Sequence, residues 1–457
     1  MADQQIDMSL SGSSPANFNG LQKTGIAITS IGILFFFIAW FGVGNQQPLI
    51  CLLITLAGFI IGGITYSFGT YGHLPKGIKN NRAFFTSISS RGTLGWISGI
   101  VITAFYIALY WRDYWKSVLH TDVFAGLVSM FDPLSQWMRK GPADQWFVYG
   151  SLYTLAVFVM GIKFILKYRH NRYQVIRTIS VMFFQFGFAW IIPAVMKALY
   201  NFEPYYSYFW PLDYDAFFPN SINYFKDQGN LGVFFLFWGA VMAFIATPIL
   251  TYFFGKRWYC SWVCGCGGLA ETAGDPFRHL SDKSLKAWKI ERITIYSVLG
   301  AITLITAALL IDNSMHNQLL GSSAKWIAKG YSFAIGMVFS GVIGVGFYPL
   351  MGSRVWCRFG CPMAAYMGII QRFKSRFRIT TNGAQCISCG NCSTYCEMGI
   401  DVRAYAQRGQ NIVRASCVGC GVCAAVCPRG VLKLETGPEN PSRTEVLFTS
   451  DDLKILS

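Results

Sequence analysis

The sequence predicts an α-helical polytopic membrane protein that carries a small cysteine-rich domain near its C-terminal end. Three observations lead there. The 457-residue chain is 53% hydrophobic and only 13% charged, against about 25% charged residues in an average soluble domain. Its apolar residues gather into runs such as TGIAITSIGILFFFIAWFGVG and SFAIGMVFSGVIGVGFYPLM, and runs of about 20 match the bilayer hydrocarbon. Eight of the fourteen cysteines fall in two short runs, CISCGNCSTYC and CVGCGVCAAVC.

Residues 1–22 read as a polar tail. They lack a charged region ahead of an apolar one, so no cleaved signal peptide is expected and the first apolar run is a retained span. Eight spans are expected, at about 23–44, 48–71, 94–111, 145–167, 177–200, 230–254, 293–311 and 331–351, making residues 23–351 the transmembrane domain. Cys51 lies alone in the second and reads as core.

Loop charge tests the count. The loop at 73–93 has Lys76, Lys79, Arg82 and Arg91 and no acid. The next loop on that side holds Arg169, Arg172 and Arg177, beside Lys163 and Lys167. The loop at 255–292 has seven basic and four acidic residues, and 352–385 has six basic residues and no acid. The alternate loop at 112–144 is balanced, the one at 201–228 has Glu203, Asp213, Asp215 and Asp227 against Lys226, and the last, 312–329, is weakly basic and does not add to the pattern. Excess Lys and Arg mark the cytoplasmic side, so both termini are expected there. The net charge of +16 is this loop bias and comes without a nucleic-acid recognition motif, so no nucleic-acid partner is expected. The loop NFEPYYSYFWPLDYDAFFPNSINYF, assigned to the outer side, reads as an aromatic belt, with a docking surface or quinone-facing pocket as the alternative.

Residues 352–380 read as a cysteine motif followed by a basic linker at the membrane surface, 381–435 as a separate small domain, and 436–457 as a polar tail. In the small domain Cys386, Cys389, Cys392 and Cys396 are spaced C-x2-C-x2-C-x3-C, and Cys417, Cys420, Cys423 and Cys427 repeat the spacing 31 residues later, closed by Pro428. This is the bacterial ferredoxin spacing for cubane 4Fe-4S clusters, in which the fourth thiolate of each run serves the other cluster. One cluster is therefore assigned to Cys386, Cys389, Cys392 and Cys427, the other to Cys417, Cys420, Cys423 and Cys396. The domain is expected to be a two-cluster ferredoxin-like α+β unit. Glu397 stands where the second run has Pro428; the difference alters the turn and removes no ligand. Structural zinc prefers two separated C-x2-C pairs, and disulfides do not suit a reducing compartment.

Two further motifs follow the sixth and eighth spans: GKRWYCSWVCGC, with Cys260, Cys264 and Cys266, and GSRVWCRFGCP, with Cys357 and Cys361. Both read Gly, x, Arg, two large residues, Cys, x3, Cys, 97 residues apart. Cysteines four apart share a helical face, though Pro362 disfavours helix at Cys361. The five thiols are expected to converge at the membrane surface on a third cluster, a copper(I) site or a redox-active dithiol pair. No C-x-x-C-H haem motif, paired membrane histidine or nucleotide fingerprint is present.

Paired C-x3-C motifs at span ends followed by a two-cluster domain resemble the bacterial membrane polyferredoxins (NapH/NosR/CcoG-like proteins), over roughly residues 230–435. The first motif departs by reading Cys264-Gly265-Cys266 without Pro. The resemblance implies a multi-pass protein of the bacterial cytoplasmic (inner) membrane with its ferredoxin domain in the cytoplasm. It implies an electron-transfer subunit, not a stand-alone enzyme, passing electrons between a cytoplasmic or quinol donor and a membrane or periplasmic redox partner such as a respiratory complex. A copper reductase or assembly factor for a respiratory oxidase, and a redox sensor, are the alternative readings.

Overall fold

The computed structural model describes residues 18–79, 91–315, 320–321 and 323–437. Arg82, most of the N-terminal tail and nearly all of the C-terminal tail lie outside the described residues.

Eight helices among the described residues are long and apolar enough to cross a membrane: Gly20–Gln46, Pro48–Tyr71, Thr93–Tyr110, Gln145–Tyr168, Arg172–Tyr200, Gly229–Phe254, Leu285–Ser314 and Ser323–Gly346. The expected count holds, and the differences are at the ends. The seventh span begins eight residues early because Ser284 caps it, accepting from the Ala287 amide at 3.1 Å. The eighth stops at Gly346 and a separate turn, Tyr348–Met351, follows. The first two spans pack through small residues: a Cβ added at Gly32 would lie 3.1 Å from the Gly58 Cα, the close approach that membrane helices use to gain packing.

Four spans widen into π-helical turns, at Phe184–Ile191, Met242–Ala246, Ser332–Ile343 and Ala39–Val43. In the first two the cause is local. Pro193 and Pro248 follow directly, and a proline cannot donate to the helix ladder. Thr247 Oγ1 adds a bond to the Met242 carbonyl at 2.7 Å, which also accepts from the Thr247 amide.

The C-terminal domain holds one antiparallel sheet, β1 (Arg378–Thr381) and β2 (Leu432–Glu435), with Arg378 opposite Glu435 and Thr381 opposite Leu432. Between them lie the short helices Asn391–Thr394, Val402–Gln407 and Val422–Ala425. The α+β class expected from the cysteine repeat is what forms. The repeat is visible in the backbone: Gly390 and Gly421, 31 residues apart, take φ of 79° and 73° to start the equivalent helices.

Candidate electron-transfer centres

Two small cavities in the C-terminal domain are each lined by one of the assigned cysteine sets. One is lined by Cys386, Cys389, Cys392 and Cys427, walled by Ile387, Val431 and Leu432. The other is lined by Cys396, Cys417, Cys420 and Cys423, walled by Ile379, Ile400 and Val418. Each set thus takes three thiols from one run and the fourth from the other. Main-chain amides point at the sulfurs: Gly419 at Cys417, Val422 at Cys420, and Met398 and Ile400 at Cys396. Burial pushes the free thiols up, to about 11 at Cys417 and about 12 at Cys420. A bound cation reverses that balance by deprotonating a coordinating thiol outright. Four converging thiols, apolar walls and aimed amides fit a 4Fe-4S cluster in each cavity.

The second cavity is fastened to the fifth span and to both span-end segments through four consecutive carbonyls. Cys417 O accepts from Gln371 Nε2 at 2.7 Å and Val418 O from Ser261 Oγ at 2.9 Å. Gly419 O accepts from Tyr173 OH at 3.0 Å and Cys420 O from Gln174 Nε2 at 2.8 Å. Taking up the carbonyls from outside turns the amides of the same loop inward.

The five cysteines that follow the sixth and eighth spans also converge. Cys260, Cys264, Cys357 and Cys361 are buried in one cluster, with Cys266 packed against it. The 97-residue repeat is structural. Gly255 and Gly352 both adopt positive φ, 66° and 93°, each ending a helix. The Cys264 amide donates to Tyr259 O at 2.8 Å and the Cys361 amide to Trp356 O at 3.0 Å, the same bond in both copies. Cys264 then caps helix Gly265–Thr272, and Cys361 caps Pro362–Phe373. Each C-x3-C therefore straddles a break between helices and does not lie on one helical face. The extended residue ahead of the second helix turns its thiol back toward the first.

The expected place at the membrane surface is corrected by the packing. Gly265 sits against Gln185 of the fifth span and Tyr153 of the fourth, and Gly268 against Val157 and Val181. At about 1.5 Å per residue, Tyr153 and Gln185 stand ~20 Å along their spans from the ferredoxin-bearing ends. The thiols lie inside the helix bundle. The glycine-rich segment Gly265-Cys266-Gly267-Gly268 explains how: larger side chains would meet neighbouring backbone and side chains closer than 3.0 Å.

The aromatic loop is corrected in part. Phe209, Trp210 and Phe218 are buried, while Tyr205 and Tyr224 stay exposed. The buried part of the loop folds back into the helix bundle. Ser207 O accepts from Tyr259 OH at 2.6 Å, Trp210 Nε1 donates to Thr306 Oγ1 at 3.4 Å, and Tyr208 OH reaches Cys266 Sγ at 3.9 Å. The loop connecting the far ends of two spans thus touches the thiol group that the other side supplies.

Between the inner thiols and the second ferredoxin cavity lies a buried ion network, of which the motifs contain only Arg354. Arg354 donates to Glu271 Oε1 at 2.5 Å and to Glu397 Oε1 at 3.0 Å. Arg278 binds Glu397 Oε2 at 2.6 Å and Asp275 Oδ1 at 2.8 Å, and Lys167 binds Asp275 Oδ2 at 2.6 Å. Arg177 pairs with Glu271. Lys167 and Arg177 entered the loop-charge count as orientation signals; both are buried partners of this network. Oxygens of Glu271 and Glu397 and the Cys420 sulfur lie within 4.8 Å of one another. Arginines engage both carboxylates, so the trio is where the network meets the second ferredoxin cavity.

Comparison with known proteins bears on all three thiol groups. A family described as "4Fe-4S dicluster domain" matches residues 385–432, and one described as "4Fe-4S binding domain" matches twice, at 235–284 and 333–380. The likeness is to the membrane polyferredoxins. The two copies of the second family enclose the 97-residue repeat. The chain is 30% identical over 169 residues to "Putative electron transport protein YccM" of Escherichia coli (strain K12), covering 35% of this chain and 46% of that protein. It is 26% identical over 162 residues to "Methylamine utilization ferredoxin-type protein MauN" of Methylobacillus flagellatus, covering 34% and 55%. The Paracoccus denitrificans MauN is 31% identical over 147 residues, covering 31% and 48%. The chain spans about half the length of the curated relatives it matches. No solved structure matches.

Proposed function

We propose that this chain is a membrane electron conduit with three iron–sulfur centres, running from the exposed ferredoxin domain into the helix bundle. The observation that carries the reading is the convergence of Cys260, Cys264, Cys357 and Cys361 next to the second ferredoxin cavity. A 4Fe-4S cluster bound at each site supplies a one-electron couple; the chemistry belongs to the clusters, and the protein places and tunes them.

The residues divide the task. Cys386, Cys389, Cys392 and Cys427 hold the centre nearest solvent, where Cys389 is exposed and a soluble donor or acceptor docks. Cys417, Cys420, Cys423 and Cys396 hold the middle centre. Cys260, Cys264, Cys357 and Cys361 hold the inner one. The match of both repeat copies to a 4Fe-4S binding domain favours iron and sulfide over copper at these thiols. Tyr208 and its loop give the inner centre a contact toward the opposite face, where the second redox partner is met. The loop-charge bias supports the ferredoxin domain on the cytoplasmic side of a bacterial inner membrane.

The test uses sealed proteoliposomes with the ferredoxin domain outward, dithionite added outside and ferricyanide trapped inside. Ferricyanide reduction is expected, and it should fail in the Cys260→Ser, Cys357→Ser double variant. Equal rates in both, above protein-free vesicles, would remove the inner thiols from the route.

A further inference from the structure

Glu397 follows the fourth cysteine of its run, where the equivalent position holds Pro428. The turn after Cys427 forms with that proline, so the fold does not require a carboxylate here. Yet Glu397 is 0% exposed, and burying a carboxylate is costly unless it is fully paired. It is paired twice, by Arg354 and Arg278.

Arg354 is the informative partner. It is the arginine of the second span-end motif, and its guanidinium reaches both centres. Nε donates to Glu397, whose neighbour Cys396 lines the middle cavity, while Nη1 lies 3.6 Å from Cys357 Sγ and 3.3 Å from Cys260 O. Nη2 is held by Glu271, so the group cannot swing away. Its counterpart in the first repeat, Arg257, lies over Tyr173 and Phe377. The arrangement at Arg354 is therefore not a by-product of the repeat.

Cluster potentials respond to local charge and to hydrogen bonds on the sulfurs, and charges act strongly in a water-poor interior. The positive end of the pair touches an inner thiol and favours the reduced, more negative state there. The negative end adjoins a ligand of the middle centre and disfavours reduction there. We propose that the Arg354–Glu397 pair sets the electron equilibrium between the middle and inner centres, biasing the electron toward the inner one. The exchange is a single electron, one centre oxidised as the other is reduced, with no bond made or broken. Arg354 and Glu397 are positioning residues that act through the field they impose. The inference rests on the inner thiols forming a redox centre.

The experiment is an EPR-monitored redox titration of the full chain, purified without air, with iron content measured alongside. Glu397→Gln keeps oxygen and shape but removes the charge; it is expected to shift the equilibrium toward the middle centre at least tenfold, 59 mV for one electron. Glu397→Pro, the residue that the other turn already uses, should keep iron and shift the same way. Arg354→Gln should lower the inner potential, and Arg354→Lys, which retains the charge, should recover part of it. Three centres with potentials unmoved in Glu397→Gln would overturn the proposal. So would loss of iron in both Glu397 variants, which would make the residue structural. Absence of a third centre in the unaltered protein would instead remove the reading beneath it.

Discussion

Gln371 Nε2 donates to the Cys417 carbonyl at 2.7 Å, while the same side chain's Oε1 accepts from the Lys256 amide at 2.7 Å. One buried amide thus joins both span-end segments to the loop that carries three thiols of the second cavity. It also donates to Arg414 O at 2.7 Å. Gln371→Ala leaves the Lys256 amide and the Cys417 carbonyl unpaired, at roughly 1 kcal/mol or more apiece, while Arg414 O keeps the Cys417 amide. The expected outcome is a loss of about 2 kcal/mol in the stability of the docked domain. Native-state hydrogen exchange checks it: the Lys256 amide should exchange over 10-fold faster, while amides between the first two spans stay unchanged.

The internal repeat separates ligands from bystanders. Cys264 corresponds to Cys361, but Cys266 corresponds to Met363, 97 residues on. Cys264→Ala should therefore lower iron by about four per chain, the content of one cubane. Cys266→Ala should leave iron near the unaltered value. Metal analysis of the two variants prepared side by side decides between them, and equal loss in both would contradict the assignment.

Gly352 takes φ 93° and ψ 171°, backbone that is essentially reserved for glycine. An added Cβ would also stand 2.4 Å from Ser281 Oγ. Gly352→Ala should cost roughly 1–3 kcal/mol in backbone strain alone, and it displaces the segment that carries Cys357 and Cys361. The readout is thermal unfolding followed by the cluster absorbance: the variant's midpoint should fall by several degrees, and Gly437→Ala, with open space around it, should not move it.

Acid should weaken the docking of the ferredoxin domain. Burial alone would push the Asp275 carboxyl up, but Lys167 and Arg278 overcome that and hold it below the ordinary carboxylate value. A depressed folded pKa means stability that is present above the unfolded pKa, about 3.9 for Asp, and lost as pH falls below it. Asp275→Asn removes this proton linkage, so its unfolding free energy, lower at pH 7, should fall less steeply between pH 5 and 3. Chemical denaturation across that range, taken on both proteins, is the measurement; parallel slopes would contradict it.

The spans and the grouping of the eight C-terminal cysteines around two cavities were legible in the sequence because their signals are local. Hydropathy accumulates over about twenty neighbouring residues, and each set is written within a pair of eleven-residue runs. The 97-residue repeat was legible as well, including the glycine whose positive φ ends each helix. What the sequence did not disclose depends on contacts between distant segments. The depth of Cys266 follows from Gly265 and Gly268 meeting the fourth and fifth spans and Gly267 meeting the Cys260 carbonyl. Lys167, Arg177, Glu271, Asp275, Arg278, Arg354 and Glu397 have no spacing in common. Their pairing is a product of packing. One signal for it was present: a glutamate in the turn where the other half of the repeat keeps proline. The aromatic loop misled because burial and interface placement favour the same residue types.

The central claim is that the inner thiols hold a third iron–sulfur centre. The most direct measurement is the iron and acid-labile sulfide content of the protein purified without air, with EPR of the dithionite-reduced form. Three cubane centres predict about twelve iron and twelve sulfide per chain, falling to about eight in the Cys260→Ser, Cys357→Ser variant with one signal lost. About eight in the unaltered protein, with spectra that the double variant leaves unchanged, would contradict it.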